Sequence, residues 1–251
     1  MKQVIRALAA VLFGSALSFT SDAAIVEFQL GTQFVSVSAG DNIPTTTSIL
    51  PIGTLRFEDV APQQVRLTVT SSLEASAEFF DRILFNGIWD RPQDIGFALQ
   101  STTGAFNLPT VGKSNNTFTI NPPGGFDFQL LFTTSGTAAN HFEGTESITY
   151  LLTCSNASEC GPSATGANNS PLDATDFNVT NADTSGNPGY TGWFAIGSIV
   201  YPGADSNGAR YGDNTAANNL VAAQQTASEP GMLLILATGI LVLGFSRRRR
   251  A

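Results

Sequence analysis

The only histidine of the chain, His141, stands in TAANHFEGTES with Glu143 and Glu146 close behind it. An imidazole near two carboxylates has the parts of a general base. Hydrolysis also needs a nucleophile in an activating context, and neither a G-x-S-x-G elbow nor an H-E-x-x-H helix accompanies it. Carboxylate pairs for glycoside cleavage can be drawn freely from so many acids, so their presence selects nothing. The sequence therefore predicts no catalytic residue and no enzyme. His141 reads as a loop residue ahead of a strand near Ile148, and Glu58-Asp59 and Asp90 with Asp94 read as solvated strand ends.

Three other groupings carry chemistry. Cys154 and Cys160 in LLTCSNASECGPS are the only cysteines of the chain. In an oxidising compartment so close a pair reads as a disulfide that pins a loop, worth roughly 2 kcal/mol. One histidine is too few for a zinc site, and the spacing is wrong for a C-x-x-C redox pair. Asp205, Asn207 and Asp213 offer hard oxygen ligands beside Gly208, a truncated calcium loop that lacks the later glutamate, so no cofactor is implied. Trp89, Tyr190, Trp193 and Tyr211 flank turns rich in glycine, proline and asparagine, alongside Tyr201. Aromatic faces on loops suit stacking against a sugar ring, which makes polysaccharide a candidate partner, against packing of the same rings into the core.

The two ends of the chain set the route. MKQVIRALAAVLFGSALSFTSDAA opens with Lys2 and Arg6, continues uncharged from Ala7 to Phe19, and puts small residues at the −3 and −1 positions of a cut after Ala23. That is the pattern of a signal peptide, residues 1–23, removed by signal peptidase. At the other end, SEPGMLLILATGILVLGFSRRRRA carries an apolar stretch over 231–245 and then Arg247, Arg248, Arg249 and Arg250. Fifteen residues span about 22 Å as a helix, short of the roughly 30 Å hydrocarbon core, and snorkelling arginines close part of the gap. The arginines belong on the cytoplasmic side, which places the intervening body outside the inner membrane. That body holds six basic residues against eighteen acidic ones, a net charge near −12, and such a field repels nucleic acid.

Ser228, Glu229 and Pro230, the marginal helix and the arginine cluster occur in that order at the C-terminus. Together they resemble the PEP-CTERM sorting signal, with serine where the family usually has proline. The resemblance implies that an exosortase cuts the tail and that the protein passes to the cell surface or extracellular matrix. There the implied role is structural or adhesive in an exopolysaccharide-rich envelope or biofilm. A carbohydrate-binding module or secreted polysaccharide-active enzyme is the alternative. The order of apolar segments in the body also resembles β-rich exported proteins of that family and carries over no catalytic residue.

These groups must be positioned by short strands. In GGFDFQLLF the residues Phe126, Phe128, Leu130 and Phe132 fall on one face with Asp127 and Gln129 opposite, and VRLTVTSSL alternates likewise. IVEFQL, QFVSVS, GTLRFEDV, IGFALQ, NTFTIN, SITYLLT and GWFAIGSIVY extend the set. EASAEFFDRILFNG also fits a helical stripe, and reads here as a strand ending at Leu84-Phe85-Asn86. The fold class expected is all-β, an antiparallel two-sheet sandwich of jelly-roll type over 24–204. A polar linker follows over 205–227, then the sorting segment over 228–251.

Overall fold

The computed structural model describes residues 23–37, 44–75, 78–88, 92–118, 125–135, 137, 140–154, 172–181, 192–200 and 220–225. The signal segment before Ala23, Trp89, Cys160, Tyr190, Tyr201, Tyr211, the oxygen ligands Asp205, Asn207 and Asp213, and everything from Ser228 onward lie outside them. The chain divides into a unit Ala24–Ser228 and a unit formed by Met1–Ala23 with Glu229–Ala251. Apart from Ala23, the described residues belong to the first. Among them no helix is long and apolar enough to cross a membrane.

The described residues of the body form eleven strands: β1 (Ile25–Val37), β2 (Pro44–Ser48), β3 (Gly53–Ala61), β4 (Gln64–Ser71), β5 (Phe79–Phe85), β6 (Ile95–Thr103), β7 (Thr110–Phe118), β8 (Phe126–Leu131), β9 (Ser147–Cys154), β10 (Ala195–Val200) and β11 (Leu220–Gln225). Alternation explains β3, β4 and β9. In each, every second side chain is buried, Val65, Leu67 and Val69 inward with Arg66 outward in β4, so one face is dry and the other wet. β8 buries Phe126, Phe128 and Leu130 as its pattern predicts. The ambiguous EFFDRILF segment is a strand.

All pairings are antiparallel, and the strands join in one sheet in the order β6-β9-β4-β3-β1-β11-β10-β5-β8-β7, with β2 beside β1. The expected division into two sheets is therefore corrected at the level of hydrogen bonding: the ladder is continuous and barrel-like. The bridge is β1. Its first half pairs with β3, its second half with β2, and its opposite edge with β11. Gly31-Thr32, a separator between two expected strands, is instead a bulge in one long strand. A bulge bends its strand and sharpens the twist, which lets one sheet curl.

The two end strands, β6 and β7, meet through a side chain. Lys113 of β7 donates from Nζ to the carbonyls of Gln93 (3.2 Å) and Ile95 (2.8 Å), where the chain enters β6. Inside, phenylalanine dominates. Phe28, Phe57, Phe80, Phe85, Phe128, Phe142 and Phe177 are fully buried, and Phe57 meets Phe177 at 4.2 Å and Phe85 at 5.6 Å. A second apolar cluster of Phe34, Leu84, Phe126, Ile196, Leu220 and Ala222 packs separately from this core. Alternate residues of β5, β10 and β11 feed one cluster or the other, so these strands are buried on both faces.

Two expectations fail for related reasons. β11 lies inside the segment read as a linker over 205–227, yet it is a central strand whose Leu220, Val221, Ala222 and Ala223 are all buried. Alanine and glutamine have weak strand preference, and burial on both faces removes the alternation that would have announced it. β7 begins well before NTFTIN, at Thr110, and is described as far as Phe118. β2, built from PTTTS, carries no apolar alternation at all.

Candidate functional site

Where β1 begins and β3 ends, an acidic corner forms, with Asp176 buried and Asp59 and Asp173 half-buried. Asp59 takes hold of Ala24 twice: its amide donates to the Ala24 carbonyl at 3.0 Å, and its Oδ2 accepts from the Ala24 amide at 3.2 Å. The other oxygen, Oδ1, accepts from the amide of Ala174 at 2.7 Å across 115 residues of chain. Ala174 opens a short 3-10 turn, Ala174–Phe177. Asp173 caps that turn, its Oδ1 accepting from Thr175 N at 2.8 Å, while Asp176 Oδ2 accepts from Asp173 N at 3.0 Å. This reciprocal arrangement satisfies amides that a helical turn leaves unpaired. The turn sits there because Phe177 and Ala174 are fully buried, with Phe177 stacked on Phe57.

Three carboxylates therefore share one corner, and none of them takes part in an ion pair among the described residues. Burial pushes Asp176 up to about 7; the Asp173 amide opposes this, and the charges of Asp173 and Asp59 add to it. Asp59, read from sequence as a solvated strand end, is a tie between three segments. The D-x-x-D spacing of Asp173 and Asp176 is a capping signal that sequence reading passed over. A corner of this kind can hold a proton or an ammonium group. Among the described residues no group of three His, Cys, Asp or Glu could hold a metal ion.

A second carboxylate, half-buried, lies on β5. Asp81 is the extra residue where the β5–β10 register shifts, and burial raises its pKa against the Ser198 hydroxyl and Arg82, which lower it. Asp127 on β8 is buried but satisfied, accepting from Gly87 N at 3.2 Å and Asn116 N at 2.8 Å.

His141 lies in a loop ahead of β9, as the sequence reads it, and it is buried there. Its ring stacks on Phe79 at 3.8 Å, and neither ring nitrogen has a hydrogen-bond partner among the described residues. The neighbouring Glu146 is occupied structurally, accepting from Ala105 N at 3.0 Å and Glu143 N at 2.9 Å. The structure thus places His141 and these acids in packing and turn roles. Of the four aromatics grouped for sugar binding, Trp193 alone is described. It is half-buried against the second apolar cluster, edge-on to Phe34 at 5.4 Å, and its amide donates to Asn181 Oδ1 at 2.8 Å. Cys154, at the end of β9, is disulfide-bonded.

No family model matches the chain, and neither a curated protein nor a solved structure matches it.

Proposed function

We propose that this is an exported bacterial surface or matrix protein, cut by signal peptidase after Ala23 and sorted by an exosortase at Ser228-Glu229-Pro230. Its role is structural or adhesive within an exopolysaccharide-rich envelope. One observation carries the reading: the motif, the marginal apolar stretch 231–245 and Arg247–Arg250 stand in order at the C-terminus, opposite a signal sequence at the N-terminus. The division of the chain at Ala24 and Ser228 supports it, since both cuts would fall at the borders of the body and spare its strands.

The body suits a passive, durable module. Its core is filled by stacked and edge-on phenylalanine rings, which combine large buried area with fixed geometry. We read the curled sheet as two facing halves of jelly-roll type, one from β6 to β1 and one from β11 to β7. Contacts across them support this, Phe57 of β3 on Phe85 of β5 and Phe97 of β6 on Phe128 of β8.

The test is expression in a host with its exosortase and in one without, followed by intact masses of surface and membrane fractions. A surface form beginning at Ala24 and ending near Glu229, seen only with the exosortase, is the expected result. A full-length C-terminus kept in the membrane of both hosts would reduce the tail to an anchor and remove the support for a matrix role.

A further inference from the structure

We propose that cleavage after Ala23 completes the fold as well as releasing the chain: the α-ammonium group it creates at Ala24 seats on the Asp59 carboxylate and locks β1 to the end of β3. The inference rests on the export reading above, because only a cut at that peptide bond produces an ammonium at this atom. Hydrolysis breaks the Ala23–Ala24 C–N bond. Water supplies the hydroxyl that leaves Ala23 with a carboxylate, and the Ala24 nitrogen takes up protons to become ammonium.

The geometry is already in place. The Ala24 nitrogen lies 3.2 Å from Asp59 Oδ2 in a partly buried setting, and the Ala24 carbonyl accepts from Asp59 N, so one residue grips both ends of Ala24. β1 starts at the next residue, Ile25, so the cut leaves the ammonium beside the strand with no slack. In the uncut chain that nitrogen is an amide, a neutral donor. After the cut it is a cation with three donors facing a corner that holds Asp59, Asp173 and Asp176 and has no ion-pair partner among the described residues. A charged donor strengthens a hydrogen bond to a carboxylate roughly twofold over a neutral one. The raised pKa of Asp176 agrees with a corner short of positive charge. Ala23 is exposed and Ala24 half-buried, so the bond to be cut lies at the edge of the corner.

The experiment uses the full chain secreted from a bacterial host, with N-terminal sequencing and NMR titration of the Ala24 α-amine. Three proteins are compared: wild type, Asp59→Asn, and a form with Gly-Ser inserted between Ala23 and Ala24, which moves the ammonium off the carboxylate without touching the corner. The expected result is an N-terminus at Ala24 and an α-amine titrating about one unit above its ordinary value near 8. That shift should vanish in Asp59→Asn and in the insertion form, and the insertion should lower Tm by a few degrees. An N-terminus elsewhere overturns the processing reading itself. An N-terminus at Ala24 whose amine titrates at its ordinary value leaves processing intact and overturns the latch. The insertion form decides the matter even where Asp59→Asn fails to fold.

Discussion

Asp176 couples the acidic corner to pH. Its folded-state pKa, near 7, stands above the 3.8 of the unfolded chain. Between those values the folded state binds more protons, so stability falls as pH rises from about 4 to 7 and levels off above. Asp173 and Asp59 face the same carboxyl and sharpen the effect. Asp176→Asn keeps an acceptor for the Asp173 amide and removes the charge. The variant should therefore be more stable than wild type at pH 8, by on the order of 1 kcal/mol, and equal to it near pH 4, read by chemical denaturation at both. A variant weaker at pH 8 would mean that the carboxylate is held by partners worth more than its burial costs. Gly197 tests packing: a Cβ there would stand 2.7 Å from a Phe80 ring carbon and 3.2 Å from a Leu30 methyl, both fully buried. Gly197→Ala should cost about 1–3 kcal/mol in urea titration, and a neutral result would show that the Phe80 ring has room to turn. Little of this corner was legible in the sequence. Asp59 sits at the exposed end of an alternating strand, and only a contact across 115 residues makes it a tie.

At the scale of elements, legibility followed the number of buried faces. β3, β4, β8 and β9 put apolar residues inward on alternate positions, and each was readable from that pattern. β5 and β11 feed both apolar clusters, so their sequences lose the period of two, and one resembled a helix while the other resembled a linker. β11 supplies a sharp check. A chain stopped after Gln225 should fold and unfold cooperatively, whereas one stopped after Asn219 should lose the strand between β1 and β10 and with it the continuous ladder. Circular dichroism and urea titration distinguish them, and equal behaviour would return residues 205–227 to the status of a linker. The seam is weaker. Lys113 is the described side chain that joins β7 to the entry of β6, through two carbonyls. Lys113→Met should cost roughly 1–2 kcal/mol and speed hydrogen exchange in β6 and β7 before other strands. Uniform exchange across the sheet would show that the seam is held by its aromatic neighbours, among them Phe97 on Phe128.

For the molecule as a whole, charge decides more than any single pair. Eighteen acids against six bases leave the body near −12, and its described cations are already engaged. Arg56 and Arg66 both turn to Glu58, at 3.8 and 3.3 Å, Arg82 turns to Asp81 at 3.5 Å, and Lys113 serves carbonyls. The two pairs at Glu58, whose arginines are exposed, contribute about 0–1 kcal/mol each, so losing them to salt costs little. The surplus carboxylates repel one another over longer distances. At 0.01 M salt the screening length is about 30 Å, comparable to the whole domain, and at 0.15 M it falls to about 8 Å. Repulsion in the compact state is therefore screened far more than the close pairs are. Raising NaCl from 10 to 150 mM at pH 8 should increase Tm by a few degrees, and acidification to pH 5 at low salt should act in the same direction by neutralising carboxylates. A Tm that falls with salt would assign the stability to the arginine pairs, and would make the Glu58 cluster, which faces solvent, a larger contributor than its exposure allows.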